Sequence, residues 1–173
     1  VTTDNRTLRG DNIALREWTE ADLPQMIVVF DDPEIAYRTP IASPFDEAAA
    51  KGYLTGIRQA RQAGTRLHLA ITVDGLLPQG EVTLNLSTAS IAYVVGAPYR
   101  GQGLGRRALT RLVKHAYDVL GLQRTYLEIE ADNVGSMSVA LAAGFRPTDE
   151  EPEFVKDKGR SYAIHRWTHQ RTV

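Results

Sequence analysis

Gly101, Gly103 and Gly105 recur at every second position, with Arg100 before them and Arg106 and Arg107 behind. Glycine lets a backbone N–H come close to a ligand and tolerates positive φ. A helix starting at such a turn presents N–H groups without intrahelical acceptors and a partial positive charge. Glycines, a helix start and arginines together make a site for a pyrophosphate-like anion. The spacing is not the G-x-G-x-x-G of dinucleotide folds, and no Gly-Lys-Ser/Thr follows as a P-loop requires. The plainer alternative is a strand-to-helix turn that merely needs glycine; arginines on both sides weigh against it. The chain has no cysteine, which excludes thiolate nucleophiles, disulfides and Cys-ligated zinc. His115, His165 and His169 show no ligand spacing with carboxylates, so no metal is expected.

The turn needs a strand in front and a helix behind, and the patterning supplies both. Ile91 to Val95 is apolar except for the tip of Tyr93 and predicts a strand. Ala108, Leu109, Leu112, Val113, Ala116 and Leu120 recur at three- and four-residue spacing. They predict a helix to Leu120, capped by Gly121. Upstream, Arg66 to Val73 and Gly80 to Leu86 complete an antiparallel meander. Downstream come a strand over Arg124 to Glu130 and a short helix from Asn133 through Ala142, ended by Gly144-Phe145. Phe154-Val155 and Tyr162 to Trp167 form a closing antiparallel pair. Nearer the N-terminus, Asn12 to Trp18 reads as a strand. A helix starts at Thr19, with Asp22 in capping-box position, and runs to Phe30. Asp31-Asp32-Pro33 breaks it, Pro40 to Pro44 is a loop, and Asp46 to Gln62 is a helix stopped by Gly64. With no internal repeat, the expectation is one domain over residues 1–173. Its class is α+β, a mixed, mostly antiparallel central sheet flanked by helices.

Arg100-x-x-Gly103-x-Gly105 resembles the R/Q-x-x-G-x-G/A motif of the GNAT superfamily of acyl-CoA-dependent acetyltransferases. The strand Tyr93-Val94-Val95-Gly96 before it, the strand Leu127-Glu128-Ile129 after it, Asn133 and Gly144-Phe145 agree with that resemblance. It covers Gly80 to Phe145 well and the earlier helices loosely. It implies acetyl-CoA as cosubstrate, with the pyrophosphate on the N–H groups of Gly101, Gln102, Gly103, Leu104, Gly105 and Arg106, beside Arg100. It further implies that backbone groups of Val94, Val95 and Gly96 hold the pantetheine arm and that Asn133 contacts the same arm. Asn also favours helix N-caps, and both roles are compatible.

Many GNAT enzymes carry a tyrosine seven residues after that Asn as acid for the leaving thiolate; here the position is Ala140. Asn133-Val134-Gly135-Ser136, together with Leu15-Arg16-Glu17-Trp18 and Pro98-Tyr99-Arg100-Gly101, resembles the branch that includes ribosomal-protein N-terminal acetyltransferases. In that branch the serine three residues after the Asn, Ser136 here, is the proposed acid. Otherwise Ser136 satisfies backbone groups in the first turn of its helix. Acetyl transfer to an amine needs a base, because an ammonium has no lone pair to attack with. Glu128 is the first candidate, Glu81 the second; Glu130 shares the Glu128 face by strand alternation. His68 is an alternative base, more simply read as a hydrogen-bonded structural histidine. For each carboxylate the plain reading is a solvated or paired strand residue.

With 20 basic and 21 acidic residues the net charge is -1, which gives no overall pull toward nucleic acid or an anionic membrane. No apolar run approaches a membrane span, and the polar stretch Val1 to Arg9 has no signal-peptide core. The expectation is a cytoplasmic N-acetyltransferase acting on a protein N-terminus or a small amine by direct attack in a ternary complex. Dimers are common in this branch, so a homodimer is expected as an option. A cluster of Asp31, Asp32 and Glu34 would favour a cationic small amine. The alternative is a non-catalytic CoA-binding sensor or interaction domain. A nucleotide-binding module on the glycine turn alone lacks its Lys-Ser/Thr.

Overall fold

The computed structural model describes residues 7–172; Val1 to Arg6, part of the stretch read for a signal peptide, lies outside the described residues. An antiparallel sheet holds β1 (Leu8–Gly10), β2 (Ile13–Arg16), β3 (Arg66–Thr72), β4 (Gly80–Asn85) and β5 (Ile91–Val95), in chain order. A second sheet pairs β6 (Arg124–Glu130) with the long β9 (Arg160–Gln170). On the far side of β9 lie β7 (Arg146–Pro147) and β8 (Glu153–Asp157). The helices are α1 (Leu23–Phe30), α2 (Pro33–Arg38), α3 (Glu47–Gln62), α4 (Leu104–Asp118) and α5 (Val134–Ala142). The α+β class, the meander of β3, β4 and β5, and the closing hairpin of β8 and β9 are as expected from the sequence.

Strand alternation sorts two cores to the two faces of the first sheet. On one face Leu67, Leu69, Ile71, Val82, Leu84 and Ile91 pack against Leu104, Ala108, Leu109 and Leu112 of α4. On the other, Ala70 and Val94 meet Trp18, Phe30, Phe45 and Leu54 from the α1 and α3 side. The periodicity of α4 therefore reads directly as its buried stripe. Its end comes at Asp118 rather than Leu120, where Gly121 takes φ 72° and the Leu122 N–H bonds back to Ala116 O at 3.0 Å.

Two local readings need correction. Asp31-Asp32-Pro33 ends α1, as expected, but it also starts α2. The Asp32 carboxylate accepts from the N–H groups of Glu34 and Ile35, both at 3.0 Å, and Pro33 sits in the first turn, where its missing N–H costs nothing. The same residues stop one helix and cap the next. The strand read over Asn12 to Trp18 spans only Ile13–Arg16: Asp11 and Asn12 take φ 54° and 55° and turn the chain between β1 and β2, a tight hairpin that needs two left-handed residues.

The two sheets touch along β5 and β6, which run parallel. They meet at one bridge, Ser90 with Tyr126, where the Tyr126 N–H donates to Ala89 O at 3.0 Å. Beyond it the strands belong to separate sheets.

Candidate active site

The separation of β5 from β6 opens a cleft of about 820 Å³ lined from both sheets, from the turn before α4 and from the start of α5. Alternation divides its walls. Tyr93, Val95, Leu127 and Ile129 share the face of α4 and α5; Ala92, Val94 and Glu128 share the face of α1, α2 and α3. The cleft thus connects the two sides of the sheet.

On the α4 side stands the glycine turn. Gly101 and Gly103 take φ 77° and 72°, and a Cβ at either would meet no atom within 4 Å. Among the described residues, no acceptor is paired with the N–H groups of Gly101 through Arg106. Six consecutive free donors at a helix start form an anion cradle. Gly105 has a different task. A Cβ there would lie 2.9 Å from Tyr93 Cε2, so its missing side chain admits the Tyr93 ring. Arg106 is exposed on the cleft, whereas Arg107 donates to Gly103 O, Gln102 O and Asn12 O and ties the β1–β2 hairpin to the turn.

Arg100 lines the cleft, but its guanidinium is held by Asp32 at 2.9 Å, Glu34 at 3.0 Å and Val95 O at 3.1 Å. Burial alone would raise the Asp32 carboxyl. Its hydrogen bonds to Arg100 and to the α2 N–H groups hold it below the usual carboxylate value. Asp31 accepts from the Phe45 N–H at 3.1 Å. The acid cluster expected to receive a cation is therefore already partnered.

The backbone of β5 also departs from expectation. Ser90 O accepts from the Asn85 N–H, and the Gly96 N–H donates to Gln79 O. Even-numbered residues of β5 therefore turn their backbone groups toward β4, and Tyr93 and Val95 turn theirs to the open edge. Of Val94, Val95 and Gly96, only Val95 presents backbone groups to the cleft; Tyr93 joins it.

The carboxylates separate. Glu128 lies on the cleft, its side chain 37% exposed, with Arg166 at 3.4 Å. Glu130, on the same face, is buried between Arg38 at 3.0 Å and Arg160 at 2.8 Å. Glu81 is 3% exposed and accepts from Trp18 Nε1 at 2.8 Å and the Tyr53 hydroxyl at 2.7 Å, with His68 Nδ1 at 3.3 Å. It lies under the aromatic core of α1 and α3, outside the residues that line the cleft. The fold does not bring Glu81 to Glu128 or Ser136, and it places His68 as the structural partner of Glu81.

At the head of α5, Asn133 Oδ1 accepts from the Ser136 N–H at 3.1 Å, so Asn133 is an N-cap. Both residues line the cleft, and both also line an adjoining pocket with Arg38, Asp157 and Tyr162. The Tyr93 hydroxyl reaches Ser136 Oγ at 3.4 Å. In the sequence Tyr93 reads only as the polar tip of an apolar strand. Its odd position, shared with Ile91 and Val95, is the signal that sets it against α4. Among the described residues, no group of three or more His, Asp or Glu is arranged to hold a metal, and no helix is long and apolar enough to cross a membrane.

The profile of the Acetyltransferase (GNAT) domain family matches residues 12–146. The uncharacterised N-acetyltransferase p20 of Bacillus licheniformis is 21% identical over 165 residues, which cover 92% of this chain and 93% of that protein. Among solved structures, the microcin C7 self-immunity acetyltransferase MccE, in complex with acetyl-CoA and AMP, has a TM-score of 0.80 at 19% identity over 94% of each chain. RimL, a ribosomal L7/L12 α-N-protein acetyltransferase in complex with coenzyme A, has a TM-score of 0.76 at 16% identity, covering 95% of this chain and 98% of that one. At these identities the structures share the fold.

Proposed function

The chain belongs to the GNAT acetyltransferase family, and from that premise we propose that it binds acetyl-CoA in the cleft and passes the acetyl group to a primary amine. The observation that carries the reading is the run of six unpartnered N–H groups from Gly101 to Arg106, opening into the gap between β5 and β6. The pyrophosphate lies on that run, beside the exposed Arg106. The arm follows the open edge of β5, where amides pair with backbone groups of Tyr93 and with the Val95 N–H as an added strand would, the Val95 carbonyl being held by Arg100. The thioester then reaches the head of α5, next to Asn133 and Ser136.

The amine enters from the other face of the sheet, where Glu128 lies. Glu128, directly or through a water, takes the proton that blocks attack. The nitrogen lone pair bonds to the thioester carbon and the carbonyl π pair moves to oxygen; as the carbonyl re-forms, the C–S bond breaks with its electron pair on sulfur, and the nitrogen's surplus proton passes through water to that thiolate, leaving an amide and the coenzyme A thiol. A cleft that connects both faces suits donor and acceptor bound together, and a chain without cysteine offers no thiol to carry the acetyl group. The acceptor is a protein N-terminus or a small amine. Neutralisation of Asp32 and Glu34 by Arg100, and the presence of Arg66 and Arg166 on the cleft, speak against a polycation.

Calorimetry with coenzyme A, with a chelator present, tests the first half. No binding at millimolar ligand would end the reading. Thiol release from acetyl-CoA across a panel of peptides, amino acids and small amines tests the second half. Tight binding of coenzyme A with no thiol release above the amine-free rate would instead make the chain a CoA-binding sensor.

A further inference from the structure

We infer that Tyr93 is a positioning residue for the transfer: its hydroxyl holds the Ser136 hydroxyl so that the serine's one proton faces the departing sulfur. The inference rests on the acetyl-transfer reading and adds a residue to it.

Tyr93 is fixed from behind. Its ring lies against the bare Cα of Gly105, where a Cβ would stand 2.9 Å and 3.2 Å from two ring carbons, and the ring packs against the α4 core. Its hydroxyl points to Ser136 Oγ at 3.4 Å. Ser136 is held from the other side, because its N–H is capped by Asn133 Oδ1 at 3.1 Å. Among the described residues the Ser136 hydroxyl has no other hydrogen bond, so it does not serve the first turn of α5. One turn later Ala140 is buried and brings no polar group.

A serine hydroxyl has one proton and two lone pairs and rotates to suit its neighbours. A donor that occupies one lone pair fixes where the proton points. Tyr93 is such a donor. Burial pushes its phenol up, more than its contact with Ser136 lowers it, so it stays protonated at neutral pH. The chain Tyr93 O–H to Ser136 O–H to sulfur is cooperative, each hydrogen bond polarising the next. When the C–S bond breaks, the electron pair settles on sulfur and the Ser136 hydrogen bond to it shortens. Tyr93 neither gains nor loses a proton.

Tyr93→Phe keeps the ring against Gly105 and removes only the hydroxyl. Thiol release with an accepted amine and calorimetry with coenzyme A are measured on the wild type, Tyr93→Phe, Ser136→Ala and the double variant. The expected result is a kcat about fivefold to tenfold lower in Tyr93→Phe, because Ser136 without its donor no longer aims its proton at the sulfur as charge develops there. The KM for acetyl-CoA and the affinity for coenzyme A stay within about twofold, because the Tyr93 hydroxyl bonds to Ser136 and not to the cofactor. In the Ser136→Ala background, Tyr93→Phe changes kcat by less than about twofold, because the group it positions is gone. A wild-type kcat in Tyr93→Phe, or a full and independent loss in the double variant, would overturn the inference while acetyl transfer stands. A wild type that releases no thiol with any amine overturns acetyl transfer itself, and this inference with it.

Discussion

Two glycines of the turn, two residues apart, should fail in different ways when each is replaced by alanine. At Gly105 the backbone is ordinary, but the new Cβ would lie 2.9 Å and 3.2 Å from Tyr93 ring carbons and 3.7 Å from Val95 Cγ2. Neither side yields easily, since Leu104, Ala108 and Leu109 anchor α4 and Ile91 anchors β5 in one buried cluster. The ring must move by a few tenths of an ångström, and overpacking of this kind costs roughly 1–3 kcal/mol. For a chain of this size each kcal/mol is worth about 2–4 °C, so Gly105→Ala should lower Tm by about 2–12 °C. It should lower kcat as well, because the displaced ring carries the Tyr93 hydroxyl away from Ser136. Affinity for coenzyme A should hardly change. At Gly103 a Cβ meets nothing, but φ is 72°. An L-residue held there costs about 1–2 kcal/mol. The chain relieves that strain by rotating the N–H groups proposed to hold the pyrophosphate. Gly103→Ala should therefore weaken coenzyme A binding, and the bulkier Gly103→Val should weaken it by about tenfold or more, near 1.4 kcal/mol. Thermal unfolding, calorimetry with coenzyme A and thiol release on the variants decide between the two roles. Wild-type Tm and kcat in Gly105→Ala would refute the packing argument; equal losses of coenzyme A affinity in the two alanine variants would refute the division of labour.

Glu128→Gln should lower kcat by about 10²–10⁴-fold and alter its pH profile, while coenzyme A still binds; an unchanged rate would mean that the amine loses its proton to bulk water. Asp22 supplies a stability test with a defined pH window. Burial alone would raise its carboxyl, but Arg16, at 2.7 Å and 2.8 Å, and Thr19 hold it below the ordinary value. A lowered carboxylate contributes stability above its unfolded value near pH ~3.9, and the contribution is lost as pH falls through the lower folded value. Asp22→Asn should cost about 2 kcal/mol at pH 7, and the difference in Tm should shrink below about pH 3.9; a gap that stays constant to pH 2 would contradict the assignment.

What was legible in the sequence is what rests on short-range rules. The apolar stripe of α4, the alternation in β3 and β4, and the glycine turn depend on neighbours a few residues away. Those same rules place Asn133 as an N-cap. Three features were not legible, each because it depends on partners far along the chain. Glu81 and Glu128 look alike as strand carboxylates, yet Trp18 and Tyr53 enclose one and the splay of β5 from β6 exposes the other. The backbone parity of β5 follows from its register with β4, which no local pattern fixes. Tyr93 gains its meaning only when α5 delivers Ser136 to it from 43 positions away.

Arg100 shows how a motif residue can act at one remove. The helix α2 has six residues and one buried side chain, Ile35. A helix that short is not stable alone, and one buried isoleucine contributes only about 1.5–3 kcal/mol. Polar contacts from three other parts of the fold hold it. Arg100, from the turn after β5, reaches Asp32 and Glu34. Glu130 of β6 and Asp132 receive Arg38. From the β8–β9 turn, Lys158 donates to the carbonyls of Ala36, Thr39 and Ile41, and the Arg160 guanidinium lies 3.4 Å over the Tyr37 ring. These contacts draw α2 against both strands that bound the cleft. The guanidinium that looked free to meet a pyrophosphate instead fixes α2 beside the cleft, on the side proposed for the acceptor, and the acids that looked free to meet a cation are its partners. The backbone N–H groups of the glycine turn are left as the donors proposed for the pyrophosphate, with Arg106 as the exposed charge beside them.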